Sequence, residues 1–408
     1  MRATKRARWA LAAACGLLCA LTGLTGVAHA QDVACGDLPN PIYLQVGDTQ
    51  EPLLKNLGRA LANSAVQPMT LVYVTSGSCT NIEAIYADTK ITKNPFYVPS
   101  STANAGWTPK DPSPTCTIPD GGHAIDVANS ALFVSACNPA IPPAGIKLFQ
   151  GPVQGYSFVV PEASLQKSIT AEQGYFVFGF GNGGMAEPWT DEAFMYIRTV
   201  TKSTLLSMAA AISVPADKWR GQRFDKSSEV LSALTASTNP EKSIGILGVE
   251  LYDQHRDQVN VLAYRAYGQR YAYYPDSSAT SFDKRNVRDG HYVPWSPTVW
   301  LTKVDTAGAP VDPRAKYLID SILGLHTEPA ADFEALDIVT DVGLVPDCAM
   351  RVTRSVEGGE LSLYEPAEPC GCHYESRVTK ATPAGCVPCD AQTPCASGVC
   401  RHDFCEAR

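Results

Sequence analysis

Three short stretches of this chain set hydroxyl and glycine residues at points where a strand gives way to a helix: Gly47-Asp48-Thr49, Ser76-Gly77-Ser78 followed by Thr80, and Thr201-Lys202-Ser203-Thr204. A turn of this kind gathers free backbone N–H groups and the positive end of a helix dipole at one point, which suits a phosphate, sulfate or carboxylate. Hydroxyl side chains add donors without adding charge. Arg198, three residues before the third turn, adds a guanidinium whose fork fits a tetrahedral oxyanion. Any one of these turns alone is more often just an ordinary capped turn. Together, with two in the first part of the chain and one in the middle, they point to an anion held between two lobes. The candidate ligand-binding residues are Asp48, Thr49, Ser76, Gly77, Ser78, Arg198, Lys202, Ser203 and Thr204.

Two other constellations invite chemistry. His291 lies near Asp289 and Ser281 in the densest charged stretch of the chain, Asp283 to Tyr292. No G-x-S-x-G elbow accompanies it and no nucleophile is marked, so it reads as an interlobe surface or a capped turn, and no catalytic residue is assigned. Cys370-Gly371-Cys372-His373, Cys386-Val387-Pro388-Cys389, Cys395, Cys400 and Cys405 have spacings that a reducing compartment would turn to zinc binding. The compartment decides against that. Arg2, Lys5, Arg6 and Arg8 precede an apolar run from Trp9 to Val27, and Ala28-His29-Ala30 offers a cleavage site, so residues 1–30 read as a secretory signal peptide. An exported chain whose last eight cysteines sit among Pro, Gly and Ser is expected to form a knot of two to four disulfides with no metal or cofactor. Its pairing is open, since eight cysteines allow about 105 connectivities. Periplasm or cell exterior is the expected location.

Removing the leader takes away four basic residues and no acidic ones, leaving 29 Lys and Arg against 41 Asp and Glu, a net charge of −12. That excludes nucleic acid as an expected partner. No later segment approaches the roughly 20 apolar residues of a membrane span. About 380 mature residues exceed one simple core.

Stepping along the chain, Ile42 to Val46 reads as a strand and Glu51 to Leu61 as an amphipathic helix. Thr70 to Val74 and Asn81 to Ala87 repeat the plan. Residues 93–123 read as a long loop tied down through Cys116, and Ala131 to Val134 as a return to strand. A second α/β unit follows. Phe158 to Val160, Tyr175 to Phe180, Ile244 to Leu247 and Val259 to Leu262 are expected strands, and Asp191 to Ile197 and Leu205 to Ile212 expected helices. Pro313 to Leu323 and Asp332 to Val339 read as helices before Gly, Pro and Cys take over. Cys79 sits beside the second turn, so a bridge to Cys116 or Cys137 would stiffen it.

Over residues 40–325 the chain resembles the PstS-like phosphate-binding proteins, members of the type 2 periplasmic binding protein fold. The matching stretches are Pro52 to Gly58, Leu71 to Thr80, Arg198 to Thr204, Ile244 to Leu247, Tyr274 to Ser277 and Asn286 to Tyr292. The resemblance implies an α/β fold of two lobes joined by crossing strands, with the anion dehydrated in the cleft and contacted by Thr49, Ser76, Gly77, Ser78, Arg198 and Thr204. The domains expected are lobe 1 at 31–145 and 275–345, lobe 2 at 146–274, and a disulfide-rich C-terminal module at 346–408. The implied function is binding of phosphate or a similar oxyanion by a monomer, for uptake with an ABC transporter membrane component or for sensing, and not catalysis. Two positions depart from the family. Asp48 stands where a small or hydroxylic residue is usual, and Lys202-Ser203-Thr204 replaces Ser-Gly-Thr. A carboxylate in the first turn repels a dianion unless it takes a proton from it. Asp48 and Lys202 favour the alternative, an envelope or surface interaction protein with the same fold and an altered or empty cleft.

Overall fold

Alternating apolar runs and helix starts produce one mixed sheet of ten strands in a computed structural model that describes residues 33–396 and 399–406. The expected leader lies outside the described residues. The strands of the main sheet are β1 (Pro41–Gly47), β2 (Thr70–Ser76), β3 (Phe96–Tyr97), β4 (Val127–Ser130), β5 (Ile146–Pro161), β6 (Met195–Arg198), β7 (Gln222–Phe224), β8 (Ile244–Gly248), β9 (Val259–Val261) and β10 (Trp295–Lys303). They lie in the order β7-β6-β8-β5-β10-β4-β1-β2-β3, with β9 also paired to β5. The helices are α1 (Glu51–Asn63), α2 (Ser78–Tyr86), α3 (Ala171–Phe180), α4 (Ser203–Ile212), α5 (Ser227–Thr235), α6 (Val249–Gln254), α7 (Arg285–Arg288), α8 (Pro313–Leu323), α9 (Ala335–Asp341) and α10 (Gly371–Thr379).

The expected fold class is the one observed, an α/β architecture in two lobes with a disulfide-rich C-terminal segment. In the first lobe β1 pairs parallel with β2, Ile42 opposite Leu71 and Leu44 opposite Tyr73. Successive side chains of β1 enter different cores. Ile42, Leu44 and Val46 pack with Leu53, Leu54 and Leu57 of α1, while Tyr43 on the other face packs with Ile82 and Ile85 of α2. A parallel strand covered on both faces must be apolar throughout, and this one nearly is. In the second lobe Phe158 and Val160 join Leu205, Met208 and Ile212 of α4 on one face, and Val159 joins Val230, Leu231 and Leu234 of α5 on the other.

β5 links the lobes because it is long enough to serve both. Its first part runs antiparallel to β10, from Ile146 opposite Lys303 to Gly155 opposite Trp295. Its last residues pair with β8 and β9, Tyr156 opposite Gly248 and Val159 opposite Val261.

Three expected elements differ. Tyr175 to Phe180 is helical, not extended. Thr170 accepts a hydrogen bond from the Gln173 N–H at 3.1 Å while the Gln173 side chain accepts from the Thr170 N–H, a capping box that starts α3. Asp191 to Ile197 is not one helix. Asp191 caps a single 3-10 turn, Glu192–Phe194, after which β6 begins at Met195. Ala131 to Val134 lies beyond the end of β4, where the Ser130 hydroxyl turns the chain by accepting from Leu132 N–H at 3.3 Å and donating to Leu132 C=O at 2.9 Å.

The structure pairs all twelve cysteines from Cys35 to Cys405: Cys35–Cys116, Cys79–Cys137, Cys348–Cys370, Cys372–Cys386, Cys389–Cys400 and Cys395–Cys405. The sulfurs of Cys389, Cys395 and Cys405 lie within 4.8 Å of one another, but each belongs to a disulfide and none is a thiolate ligand. Of the two partners open to Cys79, the structure selects Cys137, closing a loop of 58 residues around α2 and β4. Replacing both by Ser is expected to cost about 4 kcal/mol, on the chain-entropy account of such a loop, in an unfolding titration monitored by circular dichroism.

Candidate functional site

Each of the three turns begins where a strand of one lobe ends at the cleft. The first turn follows β1, and Asp48 points from it across to the second lobe. One guanidinium nitrogen of Arg198, Nη2, donates to both carboxylate oxygens, at 2.8 Å to Oδ1 and 3.0 Å to Oδ2. The backbone N–H and the hydroxyl of Ser227 both donate to Oδ2 at 3.0 Å. Lys202 Nζ lies 3.8 Å from Oδ1 and 3.1 Å from Asp225 Oδ1. Arg198 is fully buried and is fixed by the carbonyls of Asp225 at 2.7 Å and Phe224 at 3.4 Å. Its other terminal nitrogen, Nη1, donates to the Ser227 hydroxyl.

Ser227 opens α5, so the Asp48 carboxylate occupies the N-terminal end of that helix, where unpaired N–H groups and the dipole both favour negative charge. Burial alone would push the Asp48 carboxyl up. The Arg198 charge and hydrogen bonds, the Ser227 N–H and Lys202 outweigh it and hold the carboxyl below the usual carboxylate range. The donors of Arg198 and Ser227 that meet here are thus taken by a carboxylate of the chain itself.

The second and third turns touch. Cys79 N–H donates to Thr201 C=O at 3.4 Å, and a Cβ on Gly77 would stand 2.5 Å from Thr201 Oγ1 and 2.7 Å from its carbonyl oxygen. Only glycine permits that approach. Ser203 and Thr204 are buried in the first turn of α4, and Thr204 Oγ1 has no hydrogen-bond partner. Other expected residues are turned elsewhere. Ser78 Oγ accepts from Ala131 N–H at 3.1 Å, Thr49 Oγ1 donates to Gln154 Oε1 at 3.3 Å, and Ser76 ends β2 opposite Gly47. Of the nine residues expected, Asp48, Arg198 and Lys202 meet directly, while Gly77 packs against the third turn.

Sequence reading missed Ser227, Gln50, Gln154 and Glu250. Ser227 follows the three-residue strand β7, too short to announce itself; the available signal was Ser227-Ser228-Glu229, with Glu229 Oε2 accepting from Lys226 N–H at 3.0 Å. Gln154 lies on β5 between the lobes and accepts from Gln50 Nε2 at 2.5 Å. Beside it Glu250 is buried with neither carboxyl oxygen paired to another side chain or backbone group. Burial is the largest influence on it. Its own N–H and the nearby Gln154 amide lower its pKa, Asp253 and Asp48 raise it, and it is pushed up to about 8.

His291 meets Asp289 but not Ser281. Its Nδ1 meets Asp289 Oδ1 at 2.8 Å and its ring stacks on Tyr273 at 4.9 Å, whereas the Ser281 hydroxyl is engaged by Ser277 and Ser278. Among the described residues no helix is long and apolar enough to cross a membrane.

No protein-family model matches the sequence. No curated protein matches it either. Among solved structures, a putative phosphate ABC transporter substrate-binding protein with bound phosphate from Clostridium perfringens is similar at 14% identity and a TM-score of 0.48, covering 75% of this chain and 99% of that one. An ABC-type phosphate transport receptor from Vibrio cholerae is similar at 12% identity and a TM-score of 0.46, covering 74% and 99%. The reduced form of an OxyR regulatory domain from Pseudomonas aeruginosa is similar at 12% identity and a TM-score of 0.39, covering 70% and 95%.

Proposed function

We propose that this chain is an exported two-lobed protein of the solute-binding kind whose anion site is occupied from within, and that it acts through surface contacts in the cell envelope instead of carrying a free oxyanion. The observation that carries this reading is the Asp48 carboxylate, which takes the Arg198 guanidinium and the Ser227 N–H and hydroxyl that an oxyanion would need. A phosphate dianion entering the closed cleft would meet that carboxylate at contact distance, a repulsion that a buried, low-dielectric site does not screen. Twelve paired cysteines suit an oxidising compartment.

A second reading, a receptor for hydrogenphosphate, draws support from one feature. Arg198, Lys202 and the first turns of α4 and α5 gather at one point, and a carboxylate there can accept the ligand's proton. In that case the ligand shares the site with Asp48, and transport by a membrane partner follows.

Titration calorimetry of ligand-stripped protein separates the two. The expected result is no heat from the wild-type chain with phosphate, sulfate or arsenate at up to 1 mM on the order of typical metabolite affinities, and measurable phosphate binding by Asp48→Ser. Micromolar phosphate binding by the wild type, abolished by Arg198→Ala, would overturn the first reading in favour of the second.

A further inference from the structure

The C-terminal module packs Ala349, Met350 and Val352 into the second-lobe core and sends one nine-residue helix, α10, across to α9. On one side of α10, Tyr374 is buried in the second-lobe core with Phe158 and with Val287 and Tyr292, which come from the stretch expected in lobe 1, and Glu375 pairs with the buried Arg288 of that stretch at 3.2 Å. On the other side, His373 Nε2 meets Asp337 Oδ1 at 3.0 Å, Arg377 Nη1 meets Asp337 Oδ2 at 2.7 Å, and Arg377 Nε donates to Asp341 Oδ1 at 2.8 Å. Asp337 and Asp341 belong to α9, which packs on α1 and α8 and places Val339 in the first-lobe core and Leu336 in the same second-lobe core as Tyr374.

The helix cannot slide along this contact. Cys348–Cys370 and Cys372–Cys386 pin its N-terminal end, and the buried Glu406 caps it by accepting from Cys372 N–H at 3.0 Å and His373 N–H at 2.9 Å. A second tie lies nearer the cleft. Glu357 accepts from Ser207 of α4 at 2.7 Å and from Ser296 of β10 at 2.5 Å, so the first part of the module fastens the helix that carries the third turn to a strand between the lobes.

We propose that the C-terminal module is an interlobe clamp: α10 bridges α9 of the first lobe to Arg288 and the core of the second, and so holds the cleft closed over the Asp48–Arg198 contact. The proposal rests on the occupied-cleft reading for what the clamp encloses. Opening the lobes requires that Leu336 leave the second-lobe core and either that α10 leave α9 or that Tyr374 leave that core. Parting α10 from α9 breaks partly exposed ion pairs and the shared apolar cluster of Leu336, Tyr374 and Val378, and is the release point.

The test uses two amides that reach across the cleft, Ser227 N–H to Asp48 and Cys79 N–H to Thr201 C=O. Their hydrogen exchange, followed by NMR on the full chain, reports opening directly. In Asp337→Asn/Arg377→Ala both amides are expected to exchange at least ~10-fold faster, while the amide of Ile246 in β8 keeps its wild-type rate. Arg377→Lys, retaining the charge, is expected to fall between. Unchanged Ser227 and Cys79 protection would overturn the clamp, and so would equal acceleration at Ile246, which would mean global destabilisation. A failure of the occupied-cleft reading would show separately, as phosphate heat from the wild-type chain with protection at Ser227 intact.

Discussion

Asp48→Ala is expected to lose about 3–5 kcal/mol of stability, and saturating phosphate to return a large part of it. The loss follows from what remains when the carboxylate goes: a fully buried guanidinium at Arg198 held only by carbonyls and a hydroxyl, beside a Lys202 whose remaining counter-charge is the exposed Asp225 carboxylate. The recovery follows from mass action, since an anion that binds only the folded variant at 100 times its dissociation constant adds about 2.7 kcal/mol. Urea unfolding of wild type and variant, each with phosphate and with chloride at matched ionic strength, reads both effects. A variant that loses stability yet gains nothing from phosphate or sulfate would show that the site is not shaped for an external oxyanion. The pH sign is fixed by the lowered Asp48 carboxyl. Its contribution is complete above the unfolded-chain value of about 3.9 and disappears as pH falls through its folded value, so wild type and variant converge in strong acid.

Glu250 acts in the opposite sense and over the physiological range. Its carboxyl is about 4.3 in an unfolded chain and about 8 in this fold. A raised carboxyl stabilises fully below the unfolded value, and that stability is lost as pH rises through the folded one. Between these limits the unfolded chain binds fewer protons than the native one, so stability falls by up to ~1.4 kcal/mol per pH unit, ~5 kcal/mol in all as an upper bound. The Glu250 N–H and the Gln154 amide offset only part of the cost of burying the charge. The side chain folds back so closely that a Cβ on Gly248 would stand 2.1 Å from Oε1. Glu250→Gln is expected to flatten the slope between pH 5 and pH 8 in unfolding titrations. Parallel slopes for the two proteins would assign the pH dependence elsewhere.

The lobes were legible because their strands are strongly apolar and their turns carry glycine and hydroxyls at the strand ends. Pro52 and Glu51 at the head of α1, and Asp312 and Pro313 at the head of α8, gave those helices readable starts. Tyr175 to Phe180 misled because aromatic alternation is also a strand pattern, and the deciding pair, Thr170 and Gln173, lies before the run. In the cleft, sequence identified Asp48 and Lys202 as charges out of place but not what they meet, since the Asp48 partners are 150 and 179 residues away. Ser227 and Glu250 were hidden for a different reason. A serine or a glutamate in the first turn of a short helix is an ordinary capping residue until another lobe is folded against it.

The disulfides of the first lobe overlap along the chain: Cys35 joins Cys116, and Cys79, which lies between them, joins Cys137. The same interleaving recurs where Cys389–Cys400 crosses Cys395–Cys405. An oxidase that joins cysteines in the order they leave a secretion channel would couple Cys35 to Cys79 first, a pairing absent from the native set. Reaching the native set from that pairing requires thiol–disulfide exchange, in which a free thiolate attacks the first-formed bridge.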